Sequence, residues 1–366
     1  MRRIALVTNI PSPYRVDLFH YMQTALKEYE IHVVYTNKAE ANREWTIEED
    51  KLINSVVLKS KVIRVKGKID DRFIHIPPNI GKVLSSINPD VVIAFEYNPA
   101  ALKSLLWCKT HRVPFIHLTD GTLNSEKAIG TVQKLSRKII TRGAATCIAS
   151  STKAKEKLLS YGIQDESIFI SLLTVNRKQY AAVNAERIPG RLLYVGSMVK
   201  RKGLDLLIAS LPHLKAEWQL HIVGNGSQQE KVILQKAAET ANVADRITWC
   251  GYKEGTDLVH EYKEASVFVL PTREDCFGLV LLEALYAGTP IVASSYADGA
   301  YDIVENGVNG LIADPYQAKE FAVAIDRVLE SEVYSAEAGK TDTSKFLFCN
   351  VAKGYCDAIE HATAHR

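Results

Sequence analysis

Residues 271–290 combine carboxylates at Glu274, Asp275 and Glu283 with a glycine at 278 and otherwise mostly apolar side chains. The run Pro271-Thr272-Arg273-Glu274-Asp275-Cys276-Phe277 reads as the exit of a strand. A helix is expected from near Gly278, closed by Gly288 and Pro290. The first amides of such a helix, at Gly278 and Leu279, have no intrahelical partner and sit at the positive end of its dipole, which suits a phosphate. Glu283 lies among Leu281, Leu282, Ala284 and Leu285, where a carboxylate is costly without hydrogen-bonding partners. A ribose diol would supply two donors to that one carboxylate. In isolation, Glu283 reads instead as the exposed polar side of an ordinary helix.

A second cluster of charge lies at Tyr194-Val195-Gly196-Ser197-Met198-Val199-Lys200-Arg201-Lys202-Gly203, where a strand enters a glycine-containing loop with three cations ahead of a helix. Positive charge fixed there could neutralise a departing diphosphate. Without the surrounding pattern, the same cations are a solvated basic loop.

Together these segments resemble the donor-binding signature of retaining nucleotide-sugar glycosyltransferases with two Rossmann domains, family four in particular (the GT-B fold). The resemblance implies that Glu283 holds the donor ribose and that Lys202 holds the diphosphate with the Gly278 and Leu279 amides. Phe277 would lie beside the donor. The family's first glutamate, which contacts the transferring sugar, falls at Asp275. This carboxylate is one methylene shorter and displaced by ~1.5 Å, so either Asp275 or the preceding Glu274 serves the sugar. An arginine common in the family is replaced by Ser197, leaving Lys200 or Arg201 to compensate. Gly196, Gly224 in Ile222-Val223-Gly224-Asn225-Gly226, and Gly251 with Tyr252 agree in order and spacing; the last two would border the nucleobase. Taken singly, each glycine is a simple tight turn.

In the first half, Asn9-Ile10-Pro11-Ser12-Pro13-Tyr14-Arg15 follows a strand, with Ser12 suited to a helix N-cap and Pro13 to the first helical position. By the resemblance, Pro13 and Arg15 lie on the acceptor side, although Arg15 also reads as a plain helix charge. Asp120 follows the strand 115–118 where the family places a residue near the transferring sugar, and it is grouped with Asp275 and Lys202 as catalytic. His117 is offset by strand alternation; Glu96 is a further candidate. A turn-capping aspartate is the structural alternative for Asp120.

These residues need a scaffold. Short β-branched runs at 4–8, 31–35, 91–95, 114–118 and 145–149, then at 191–195, 219–223, 247–250, 267–270 and 290–293, alternate with helical patterns. The expectation is an α/β protein of two facing doubly wound Rossmann-like domains, with ligands at the carboxyl ends of the strands in the cleft between them. An acceptor-side domain is expected over 1–180, joined through a linker within 174–190 to a donor domain over 181–345. A final helix over 346–366 would pack back on the first domain.

Length, at 366 residues, suits two domains. The 47% hydrophobic and 24% charged content is that of a globular protein, and no apolar run reaches the ~18 residues of a bilayer span. No signal peptide is apparent at Met1-Arg2-Arg3, and the six cysteines show no CxxC pair or neighbouring histidine, so the reading is cytoplasmic, with no metal and no cofactor. Lys and Arg outnumber Asp and Glu by 27 to 17 over residues 1–180, but are outnumbered 18 to 25 over 181–366. In the first half, Lys134, Arg137, Lys138 and Arg142 fall at helical spacing while Val132, Leu135 and Ile139 line another face, a basic amphipathic helix. With Lys61, Arg64, Lys66, Lys68 and Arg72 they could meet an anionic membrane carrying a lipid-linked acceptor; an ordinary charged helix is the plain alternative. No nucleic-acid motif accompanies them.

The expected activity is transfer of a sugar from a nucleotide-sugar, a UDP-sugar by preference, to a saccharide or lipid-linked saccharide acceptor, as in cell-surface polysaccharide synthesis. Retention of configuration is implied by the resemblance, and no Asp-x-Asp triplet argues for a metal. The rivals are a nucleotide-sugar epimerase of the same fold and a non-catalytic saccharide-binding protein.

Overall fold

The computed structural model describes residues 1–39, 49–65, 67, 72–127 and 129–364. The chain divides into two compact units, one formed by 1–175 with 344–366 and the other by 176–343. The division falls at 175/176 rather than 180/181, and residues 344–366 belong to the first unit.

The first unit is built on β1 (Arg2–Thr8), β2 (Tyr29–Tyr35), β3 (Ser55–Val57), β4 (Lys61–Val65), β5 (Arg72–Ile76), β6 (Val91–Phe95), β7 (Phe115–Thr119), β8 (Thr146–Ala149) and β9 (Ile168–Ile170). Seven of these form a parallel sheet in the order β3-β2-β1-β6-β7-β8-β9, while β4 and β5 make a separate antiparallel pair. Its central strands β6 and β7 are buried along their whole length because helices cover both faces of the sheet, which explains the apolar run Val91–Phe95. Helix Phe348–Ala364 packs Val351, Ala352, Tyr355, Ala358 and Ile359 into the same core as Ile4, Leu6 and Ile93. Ser171 Oγ and Thr146 Oγ1 donate to the carbonyls of Val351 and Ala358, at 2.9 and 3.3 Å.

The second unit contains β10 (Arg191–Val195), β11 (Gln219–Val223), β12 (Ile247–Gly251), β13 (Val267–Leu270), β14 (Ile291–Ser294) and β15 (Gly310–Ala313). They form a parallel sheet in the order β12-β11-β10-β13-β14-β15. Strand order reverses between β10 and β13, so the loops leaving these two strands diverge at a topological switch point, where open α/β sheets hold their ligands. In the first unit the equivalent reversal lies between β1 and β6.

Candidate functional site

The loop after β10 and the loop after β13 are locked together by backbone. Gly203 adopts φ +71, and a Cβ there would lie 2.0 Å from the carbonyl oxygen of Pro271. Only glycine fits both constraints. The Arg273 amide donates to the Arg201 carbonyl at 2.8 Å, and the Arg273 guanidinium forks onto Asp205 at 2.6 and 2.7 Å. This frame carries Lys202 to Asp275: Nζ lies 2.5 Å from Oδ2, with the two side chains 18% and 14% exposed. Asp275 Oδ1 accepts the Phe277 amide at 3.2 Å, and Arg201 Nη1 stands 3.9 Å from Oδ2. Burial alone would raise the Asp275 pKa, but the Lys202 ammonium and Arg201 guanidinium outweigh it and hold the carboxyl below its ordinary value. It is an ionised acid at neutral pH.

The helix beyond this loop begins at Leu279 and runs to Tyr286, with Gly278 at its N-cap in the left-handed region, φ +74. Leu281, Leu282, Ala284 and Leu285 enter the core. Glu283 is half-buried, and its Oε2 accepts the hydroxyl of Tyr262, from helix Gly255–Glu264, at 2.8 Å. Its other oxygen has no hydrogen-bond partner among the described residues. Burial raises the Glu283 pKa and the Tyr262 hydrogen bond counters it.

The remaining expected donor residues divide into backbone and side-chain cases. Phe277 is 1% exposed, so its ring is core and only its amide faces Asp275, which corrects the expectation of a ring beside the donor. Ser197 offers its carbonyl to the Tyr194 hydroxyl at 2.8 Å. The compensating cation nearest Asp275 is Arg201, whose Nη1 also donates to the Glu274 carbonyl at 3.1 Å, whereas Lys200 is exposed. It is Asp275 rather than Glu274 that Lys202 meets. Gly196 and Gly224 bring the β10 and β11 exits into contact, since a Cβ on Gly224 would lie 2.0 Å from the Gly196 carbonyl oxygen. Gly251 has open space where a Cβ would be, and Tyr252 beside it is exposed, its hydroxyl 3.1 Å from Glu254.

In the first unit, Pro13 opens helix Pro13–Ala25 and Ser12 occupies the N-cap, but the Ser12 side chain makes no capping bond. Arg15 is 6% exposed and reaches Asp120 at 2.5 Å, so it is no solvated helix charge. Asp120 Oδ1 is buried without a hydrogen-bond partner. The Asp120 amide donates to Glu96 Oε1 at 2.7 Å. Glu96 sits at φ +62, and burial, then the charge of Asp120, pushes its carboxyl up to about 7. His117 is fully buried against the Tyr97 ring, 4.5 Å between centroids, and burial followed by the Lys157 charge pulls it down to about 3.

Arg137 overturns part of the expected membrane face. It turns inward to Glu126 at 2.9 Å, and Glu126 also meets the fully buried Lys157 at 3.0 Å. A buried Lys157 requires a carboxylate, and that carboxylate draws Arg137 out of the outer face. The outer face of helix Thr131–Gly143 still exposes Lys134, Lys138 and Arg142, and it exposes Val132, Leu135 and Ile139 as well. Lys61 and Arg64 lie on β4, whose residues are exposed. Lys66 and Lys68 lie outside the described residues, as does the Arg72 side chain.

Several participants had no sequence signal. Tyr262 is 21 positions from Glu283, and Asp205 is 68 from Arg273; only the fold pairs them.

Residues 176–344 match the family described as glycosyl transferases group 1. Glycogen synthase of Mycobacterium tuberculosis is 30% identical over 256 residues, 67% of this chain and 61% of that protein. Lipopolysaccharide 1,6-galactosyltransferase of Salmonella typhimurium is 29% identical over 191 residues, 51% of this chain and 53% of that protein. The chain thus spans between about half and about six tenths of the length of these relatives. Among solved structures, Anabaena HepE in complex with UDP and glucose superposes with a TM-score of 0.77 at 16% identity, covering 98% of this chain and all of that one. At that identity, the likeness shows a shared fold.

Proposed function

Residues 176–344 of this chain belong to the group 1 glycosyl transferases, and from that premise we propose that it transfers a sugar from a nucleotide-sugar to a saccharide or lipid-linked saccharide acceptor. The donor is taken to be a UDP-sugar, which is what the Anabaena neighbour's bound UDP and glucose suggest for the class. Transfer proceeds with retention and without a metal.

The observation that carries this reading is the Lys202–Asp275 pair at the switch point, two residues ahead of the Phe277 amide that Asp275 accepts and three ahead of the glycine that starts the helix. A diphosphate arriving there exchanges with Asp275 for the Lys202 ammonium. Lys202, Arg201 and the Gly278 and Leu279 amides then face the charge that grows on the nucleotide as the glycosidic bond breaks. Asp275, released from Lys202 but still facing Arg201 and the Phe277 amide, accepts hydroxyls of the transferring sugar. The open oxygen of Glu283 takes a ribose hydroxyl while Tyr262 holds the other. In the first unit, Asp120, oriented by Arg15 and Glu96 and retaining one unpartnered oxygen, is assigned to an acceptor or sugar hydroxyl.

The setting proposed is the cytoplasm, at the inner face of a membrane. No helix among the described residues is long and apolar enough to cross a membrane. What supports surface contact is helix Thr131–Gly143, which exposes three apolar and three cationic side chains together. Nucleotide release measured across UDP-, GDP- and ADP-sugars, with and without oligosaccharide or lipid-linked acceptors, tests the reading. Acceptor-dependent release supports transfer; conversion of donor without acceptor would indicate an epimerase, and no nucleotide binding a silent binding protein.

A further inference from the structure

On the second unit, β11, β12 and helix Gly255–Glu264 bring together three side chains that the sequence keeps apart. His221 Nδ1 lies 3.0 Å from Glu261 Oε2 and 3.7 Å from Cys250 Sγ, and the three ligand atoms all fall within 4.8 Å of one another. The convergence has a backbone cause. Leu220 and Ile222 face the core, which leaves His221 on the opposite face. The register between β11 and β12 then slips: Ile222 pairs with Trp249, but Val223 pairs with Gly251, so Cys250 is the extra residue of a bulge. His221 pairs with Thr248, and Cys250, two residues on, points to that same face, so the thiol lies beside the imidazole where the bulge begins. Glu261 is 6% exposed, held by Lys253 through its other oxygen, Oε1, so that Oε2 is the atom turned to His221.

We propose that His221, Cys250 and Glu261 form a binding site for a borderline-soft divalent metal, Zn²⁺ by class, bracing the loop that carries Gly251 and Tyr252. Tetrahedral zinc with bonds of about 2.0 to 2.3 Å needs ligand edges of about 3.3 Å for N···O and about 3.6 Å for N···S. The N···O and N···S edges, 3.0 and 3.7 Å, require adjustments of only a few tenths of an ångström, while the S···O edge, within 4.8 Å, closes toward about 3.6 Å through rotation of the Cys250 side chain as the metal binds. An imidazole, a thiolate and a carboxylate leave the fourth position to water, and Lys253 on Oε1 is the outer partner that fixes the carboxylate's orientation. Binding releases the Cys250 thiol proton to solvent and moves the imidazole proton to Nε2, leaving Nδ1 for the metal. The site uses none of the residues assigned to sugar transfer, so it stands or falls independently of that reading.

The test is titration of the full chain with Co²⁺ under a non-thiol reductant, followed by Zn²⁺. One equivalent of Co²⁺ is expected to produce a sulfur-to-cobalt charge-transfer band that Zn²⁺ displaces. The band disappears in Cys250→Ser and His221→Ala and survives in Cys349→Ser, the exposed cysteine. Absence of a band in the unaltered chain, or its persistence in Cys250→Ser, overturns the proposal. A second measurement avoids substitutions: Zn²⁺ should slow alkylation of Cys250, whose thiolate it would occupy, while leaving alkylation of Cys349 unchanged, read by peptide mass spectrometry. Equal alkylation with and without Zn²⁺ likewise overturns it.

Discussion

Lys202 and Asp275 are 73 positions apart, yet their charged atoms lie 2.5 Å apart in the same crossing of two loops. The pair gives the site its electrostatic character: a cation ready for an anionic ligand, and a buried carboxylate that the same cation, with Arg201, keeps ionised.

Replacing Asp275 by Asn tests the pair through stability. The folded carboxyl has a depressed pKa, so its contribution is complete above its ordinary value of 3.8 and is lost as pH falls through the lower folded value. Asp275→Asn should be less stable than the parent by about 1 to 3 kcal/mol at pH 7, with the difference shrinking below about pH 4. Thermal unfolding across pH 2 to 8, a range of about six units, reads this directly. A difference independent of pH would show that the ion pair contributes nothing.

Glu96 predicts the opposite slope in the first unit. Its unfolded carboxyl ionises near 4.5, but the folded one only at about 7. Between those values the fold retains a proton that the unfolded chain has shed, so this group makes stability fall as pH rises, levelling off above about 7. Glu96→Gln keeps an oxygen for the Asp120 amide and should remove that part of the slope. An unchanged pH profile would place Glu96 in an ordinary ionised state.

Tyr262→Phe removes the hydroxyl that donates to Glu283. We expect the donor KM to rise about fivefold, equivalent to about 1 kcal/mol, with kcat changed less. Loss of thermal stability with donor KM unchanged would make the contact purely structural.

The outer face of helix Thr131–Gly143 predicts binding to anionic vesicles. Leu135→Glu or the pair Lys138→Glu and Arg142→Glu should reduce co-sedimentation with phosphatidylglycerol vesicles about 10-fold or more, on the basis of roughly 1 kcal/mol per basic residue. Arg137→Glu is not a useful probe, because Arg137 is committed to Glu126 inside the unit. Equal sedimentation of all variants would remove the membrane from the account.

Much of the scaffold could be read from local pattern. Strands at 91–95, 191–195 and 267–270 fall where their apolar runs place them, because a parallel strand buried on both faces announces itself. The pair 61–65 and 72–76 was missed: β4 is exposed throughout and offers no hydrophobic contrast. Ser55–Val57 and Ile168–Ile170, three residues each, are too short to stand out from loops. Candidate site residues were legible where they sat on loops leaving strands, as Lys202, Asp275 and Asp120 do. Their partners were not legible. Nothing in the local sequence tells Arg137 to face Glu126, or His221 to find Cys250 at a bulge 29 positions later, because those pairings are made by packing and register.

The central claim concerns Lys202 and Glu283 as the anchors of the donor, and the most direct measurement is nucleotide release by Lys202→Ala and Glu283→Gln against the parent with its preferred nucleotide-sugar. The account predicts that each substitution lowers turnover by more than about 10-fold, at least about 1.4 kcal/mol of transition-state stabilisation, while the protein remains folded. Parent-level release by both variants would contradict it.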